Sequence, residues 1–255
     1  MSWASGIWAY LFASVALANG VFQGVTGEVK AGIGSEASVD ASAGQRFRPG
    51  TTVTTGANSR AVLRFDDGHA IVLHENTEFR FTDYRFKRDR PQEDSFAAEL
   101  VKGALRSVTG LIGQRSGNRV SLSVPQATIG IRGADFMVVL VNPAYVSVLN
   151  GAVGVTNAAG TVTFDAGALG TVAAATTLAA PIAASALPAE ASAAFSSLSS
   201  VAVGVGASGS GGASAGATGA GTAAGGGVSA TAAAVAAGIA GIASAAGNST
   251  ATANH

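Results

Sequence analysis

Charge is confined to one stretch of this chain. Every Lys and Arg lies between Lys30 and Arg132. From Gly133 onward the only charged side chains are Asp135, Asp165 and Glu190. From Ala166 to His255, 34 Ala and 16 Gly make up 50 of the 90 residues, and Phe195 is the only aromatic. Two materials are therefore joined end to end, and any hydrophobic core has to be built from the first. Over the full 255 residues, 15 Lys and Arg balance 15 Asp and Glu. That balance removes a general basic attraction to nucleic acid. The absence of Cys removes a disulfide framework, thiolate catalysis and thiolate metal sites.

The N-terminal stretch reads as an export signal. An apolar run, Ile7 to Leu17, ends in Ala16-Leu17-Ala18 before Asn19. Small residues at those positions fit a signal peptidase, and the run is short for a membrane span. The expectation is a signal peptide over residues 1–18, cut between Ala18 and Asn19, and an extracytoplasmic (periplasmic or secreted) chain. An uncleaved anchor is the alternative, because no Lys or Arg precedes the run. No Cys follows the small residues, which excludes a lipoprotein anchor.

The middle reads as many short strands. Ala61 to Phe65 and Ala70 to Leu73 flank Asp66-Asp67-Gly68, a hairpin signal. Thr77 to Phe81 alternates with period two, and so does Val120 to Val124, which stops at Pro125. Phe136 to Val141 suits a buried strand. Val146 to Leu149 turns at Asn150-Gly151, and Asn157 to Gly160 makes a further turn. The best helical candidate, Phe96 to Leu105, contains Gly103 and equally opens a strand. Gly27-Glu28-Val29, Gly103-Ala104-Leu105 and Gly151-Ala152-Val153 each put a Gly before a short strand. The expectation is one all-β domain over residues 24–172, an irregular β-solenoid or a sandwich. Residues 173–255 are expected to be a low-complexity tail.

Three blocks carry a resemblance. The first runs from Gly44-Gln45 through Pro49-Gly50-Thr51-Thr52-Val53-Thr54-Thr55-Gly56 to Ser59-Arg60-Ala61-Val62-Leu63-Arg64-Phe65-Asp66-Asp67-Gly68. The second is Ser123-Val124-Pro125-Gln126-Ala127-Thr128-Ile129-Gly130-Ile131-Arg132-Gly133, and the third is Val148 to Val153. In order and spacing they resemble the FecR-type domain family, over about Val25 to Val172. The resemblance implies an extracytoplasmic, solenoid-like all-β domain. Its best-known members relay a signal from an outer-membrane receptor to a cytoplasmic sigma factor. This chain departs from them: about six residues precede the apolar run, Ala134 stands where the family has Thr, and Ala/Gly-rich sequence replaces the receptor-docking region. Sigma-factor control is not carried over.

Candidate chemistries are few. His69, His74 and Glu75 with Asp66 and Asp67 invite a metal reading. However, His74 and Glu75 point to opposite faces of a strand, and Asp66-Asp67-Gly68 is explained by a turn. No G-x-S-x-G surrounds a serine of the domain. No catalytic, metal or cofactor residues are assigned, and no small-molecule substrate is expected. Arg80, Arg85, Lys87, Arg88 and Arg90 interleave with Phe79, Phe81, Tyr84 and Phe86. The favoured reading is a solvated loop beside core aromatics, with neighbouring acids offsetting the charge. If the domain has a partner surface, these residues are its first candidates. Gly130, Arg132 and Gly133 are the structural signature, with Arg132 expected to be a buried pin satisfied by carbonyls or a carboxylate.

In the tail, Ala183 to Leu198 is either a short helix or coil, and Val201 to Gly227 reads as a flexible linker. Val228 to Gly247 is long enough to span a membrane, but its Ala/Gly content makes insertion marginal. Helix packing and β-stacking are the other options. Two functions follow. One is an exported, non-enzymatic binding module whose partner is an envelope protein or glycan, not nucleic acid. The other is a structural surface or matrix protein that self-associates through its tail.

Overall fold

The computed structural model describes residues 19–34 and 36–203. The tract from 204 onward lies outside them, as does the segment 1–18, so the export, linker, membrane and self-assembly expectations fall there. The strands are β1 (Gly20–Thr26), β2 (Val29–Ile33), β3 (Val39–Asp40), β4 (Arg46–Phe47), β5 (Thr51–Thr55), β6 (Arg60–Phe65), β7 (Ala70–Leu73) and β8 (Glu78–Arg85). They continue with β9 (Ser95–Val108), β10 (Val120–Val124), β11 (Ala127–Leu140), β12 (Ala144–Asn157), β13 (Gly160–Asp165), β14 (Leu169–Val172) and β15 (Ala180–Pro181). Among the described residues two α-helices join them, α1 (Leu111–Arg115) and α2 (Ala189–Ser199), besides three short 3-10 turns.

The hydrogen-bonded ladder is continuous but folds over on itself. One layer runs β4-β1-β6-β7, then the second halves of β9 and β11, the first half of β12, β14 and β15. The other runs β3-β2-β5-β8, then the first half of β9, β10, the first half of β11, the second half of β12 and β13. Only β9 and β10 pair in parallel among the described strands. The all-β expectation is met, in one continuous and mostly antiparallel sheet of 15 strands among the described residues. Phe22, Leu63, Phe65, Leu105 and Phe136 of the first layer share one buried cluster with Phe79, Phe81, Phe96, Leu100 and Ile129 of the second. Burying such side chains in one core is the main stabilising term, about 1.5–3 kcal/mol for each.

The layer switches are made at glycines. Gly27, Gly103 and Gly151, each marked in the sequence by the short strand after it, all have positive φ. Gly103 bends β9 with φ of 86°, and a Cβ there would stand 2.6 Å from Cα of Thr77. Gly151 bends β12 with φ of 74°, and its Cβ would lie 2.3 Å from the Gly133 carbonyl oxygen. Only Gly combines that dihedral with that approach. The expected turn at Asn150-Gly151 is thus a corner inside one strand, and Phe96 to Leu105 resolves as strand. The Asp66-Asp67-Gly68 hairpin forms as read, with the Phe65 amide donating to the His69 carbonyl at 2.9 Å.

The folded unit is longer than the expected 24–172. It begins at Gly20 and takes in part of the expected tail. Ala191, Ala194, Phe195 and Leu198 recur at helical spacing and are buried against Val72, Ala104, Met137, Val139 and Tyr145. These cover the outer face of the first layer. A helix of 11 residues is marginal alone in water, so docking supplies its stability. The alanines permit close approach, and Phe195 is the anchor. Among the described residues no helix is long and apolar enough to cross a membrane.

Candidate interaction surface

Strand alternation splits the interleaved basic and aromatic run. Phe79, Phe81 and Tyr84 point into the core, while Arg80 and Arg85 are exposed on the outer face. Arg80 pairs with Glu78 at 2.9 Å and Glu99 at 3.5 Å, Arg85 lies 3.9 Å from Asp83, and Arg90 pairs with Glu93 at 2.6 Å. Such exposed pairs contribute little stability, but they offset charge. Lys87 and Arg88 are exposed, and their backbone carbonyls accept from Arg115 at 3.2 and 3.0 Å. None of the five candidate cations lines the basic groove described next; Lys87 and Arg88 touch its wall only through these carbonyls.

Arg132 corrects an expectation. It is exposed, not buried. Its neighbourhood explains why. Register shifts between Arg132 and Asp135, so the inside-outside alternation restarts at Gly133. Thr109 holds the far side of this bulge: its Oγ1 donates to the Ala134 carbonyl at 2.6 Å and accepts from the Ala134 amide at 3.1 Å. Arg132 and Gly133 are left facing outward. The pinning role expected of Arg132 belongs to Arg106. That guanidinium reaches Asp135 through two bonds of 2.9 and 2.7 Å. It also donates to the carbonyls of Leu198, Ser199 and Val201 at 3.4, 3.4 and 3.1 Å. A cation at those carbonyls is favourable at a helix C-terminus. The bonds to Asp135 hold Arg106 above its ordinary pKa.

Outward from β11 lies an open groove of about 740 Å³, lined by Gln92, Gly113, Gln114, Arg115, Ser116, Gly117, Arg119, Arg132 and Gly133. Arg115 is part of its wall. It bonds Asp94 at 3.0 Å and lies 5.0 Å over the Phe86 ring. Asp94 itself is buried, and its second oxygen accepts from the Lys87 amide at 2.8 Å. Sequence reasoning missed Arg115 and Arg119. Their i, i+4 spacing around Ser116-Gly117 is the only signal, and it is weak.

On the inner side of α1 sits a sealed polar cluster. Asp67 is 2% exposed. Its carboxylate accepts from the His69 amide at 3.2 Å, the Tyr84 hydroxyl at 3.2 Å and the Ile112 amide at 3.3 Å. Burial still raises its pKa, and burial also pushes the Tyr84 hydroxyl up. His69 is fully buried, stacked 4.3 Å from Phe96, with Nε2 2.8 Å from the Ser107 hydroxyl. A Ser–His contact of that length suits nucleophile activation. Here Asp67 bonds the His69 backbone and not Nδ1, which has no partner. Ser107 is 2% exposed, so no substrate reaches it. Complete burial drives the imidazole down to about 3, so it is neutral. Among the described residues no three His, Asp or Glu side chains converge as for a metal.

Comparison with known proteins agrees with the blocks read from the sequence. Residues 51–154 match the family model described as FecR protein. Two crystal structures of a proposed anti-sigma factor from Parabacteroides distasonis are similar to this chain. They show 17% and 16% identity and a TM-score of 0.42 each. Each match covers 51% of this chain and 58% of the other, so it spans less than two thirds of those proteins. No curated protein matches. The matched segment, 51–154, runs from β5 through the Gly151 corner of β12.

Proposed function

We propose that this chain is an exported, non-enzymatic binding module of the bacterial cell envelope, with its FecR domain as the binding element. One observation carries the reading. The one close Ser–His pair, Ser107 and His69, is sealed in the core with Asp67 nearby, while the groove beside Arg132 offers only cationic and neutral polar groups. A surface of that kind holds a partner and transforms nothing. Export is supported by the apolar run before Ala18 and by where the fold starts. The Asn19 nitrogen donates to the Phe47 carbonyl at 3.1 Å, and both residues remain in the chain after a cut at Ala18.

The FecR match itself favours a second reading, an envelope signalling component held by an uncleaved Ile7–Leu17 anchor. Fractionation of native cells with mass spectrometry of the chain's N-terminus separates the two. A chain beginning at Asn19 in the periplasm or medium is the expected result. A chain beginning at Met1 in the membrane selects the signalling reading, and one beginning at Met1 in the cytosol overturns both.

A further inference from the structure

We infer that the groove beside Arg132 binds a carboxylate-rich segment of a partner protein, an inference that rests on the binding-module reading and names the ligand chemistry. The first argument is charge. The lining holds three arginines and no Asp or Glu. The nearest buried carboxylate, Asp94, is consumed below the surface by Arg115 and the Lys87 amide. The chain as a whole is neutral, so this local excess does not follow from composition.

The second argument is availability. Arg115 is committed to Asp94 and two carbonyls. Arg119 reaches only the Asp94 carbonyl, at 3.5 Å, the outer limit of a hydrogen bond. The Arg132 side chain makes no hydrogen bond or ion pair within the described structure, its backbone alone joining the ladder to β12. Two exposed guanidinium forks thus face solvent side by side with Gln92 and Gln114. A fork of N–H donors matches a carboxylate in two-point geometry. The stem of Arg132 is also placed: a Cβ on Gly117 would come within 3.0 Å of its Cγ, so the glycine is the seat on which that stem lies.

The third argument chooses among anions. No aromatic ring lines the groove, since Phe86 lies under Arg115. Stacking platforms are what single-stranded nucleic acids use, and sugars likewise gain from aromatic faces. Glycine backbone at Gly113, Gly117 and Gly133, with amide side chains, suits an extended peptide. The chain's own Ala/Gly-rich end has Glu190 as its one acidic side chain beyond Asp165. The occupant is therefore another protein.

The test uses the full chain and labelled poly-L-glutamate, with alginate as a carboxylated glycan of similar charge. Poly-L-glutamate is expected to bind and to weaken as salt rises. Arg119→Ala and Arg132→Ala should each cost roughly fivefold in affinity, the upper range for exposed ion pairs. Arg119→Glu with Arg132→Glu should abolish binding. Arg80→Glu and Arg85→Glu, outside the groove, should leave it unchanged. Unaltered thermal midpoints will show that the variants fold. Absent binding, binding that survives the double reversal, or tighter binding to alginate overturns the proposal. Failure here in a chain shown to be exported leaves the module reading standing. A cytosolic chain that still binds poly-L-glutamate removes that reading and keeps the groove.

Discussion

The segment 111–119 has two faces that treat polar groups in opposite ways. Inward, the Ile112 amide closes a cluster in which Asp67 is almost fully bonded and His69 is neutral. Outward, across one thin turn, Arg119 and Arg132 stand in water with little to hold. Inside, a polar group persists only by being satisfied, because an unpaired buried donor costs about 1–3 kcal/mol. Outside, water satisfies everything, and a group left unpaired is free for a partner. Polar residues of the first kind define the fold, and those of the second are available for recognition.

That contrast can be broken from several directions. The corner where β12 passes from one layer to the other, against Gly133 of the groove, is the most sensitive point. Gly151→Ala places a methyl against the Gly133 carbonyl at an unfavourable φ. We expect a loss of about 3 kcal/mol or more, or an insoluble chain, read by urea denaturation. On the inner face, Asp67→Ala should cost about 2–4 kcal/mol by stranding the His69 and Ile112 amides. Asp66→Ala, next door but not in that network, should stay within about 0.5 kcal/mol. Equal losses at the two positions would refute the sealed-cluster account.

Acid should act on the same face. The unfolded chain takes up the His69 proton near its ordinary 6.5, whereas the folded chain resists it until about 3. Stability therefore falls as pH drops through that window, on the order of 1 kcal/mol per pH unit. His74, lowered mainly by partial burial, adds in the same direction. Asp67 opposes them, because its raised folded pKa means that the folded chain binds its proton first and gains on acidification. His69→Gln should flatten the net slope between about pH 7 and about pH 4. An unchanged slope in the variant would assign the acid sensitivity elsewhere.

A smaller effect is expected at Arg106. Arg106→Ala should cost about 1–3 kcal/mol and raise amide hydrogen exchange across 189–199 ahead of the strands. Arg132→Ala, on the outer face, should leave both readouts unmoved. If exchange over α2 stays protected without Arg106, apolar packing alone holds the helix.

Much of this fold is legible in the residues. The Asp-Asp-Gly hairpin, the alternating strands and the Gly-led corners at 27, 103 and 151 follow from backbone chemistry, and each stands where its residues put it. The Arg80 to Arg90 run divides as alternation requires, aromatics inward and cations outward. Two features escape that reading, for different reasons. Arg132 reads as buried when taken as a lone charge in an apolar stretch, yet with Ile129 and Ile131 buried the period-two alternation already points it outward. Arg106 has no local signature, because its partners, Asp135 and the carbonyls after Leu198, are set by topology. Helix α2 lies between helix and coil on sequence alone. Its alanine content fits either, and only the apolar outer face of the first layer decides.

That outer face has a consequence for how the chain is made and cut. Synthesis runs from the N-terminus, so Val72, Met137 and Val139 exist as a bare apolar patch until Leu198 has left the ribosome. A chain cut short at residue 154, where the family match stops, or at 172, where the last long ladder closes, would keep that patch uncovered for good. Such a piece would be judged a poor folder and sticky, though every residue of the family match is present. The unit of inheritance and the unit of solubility differ here by one alanine-rich helix.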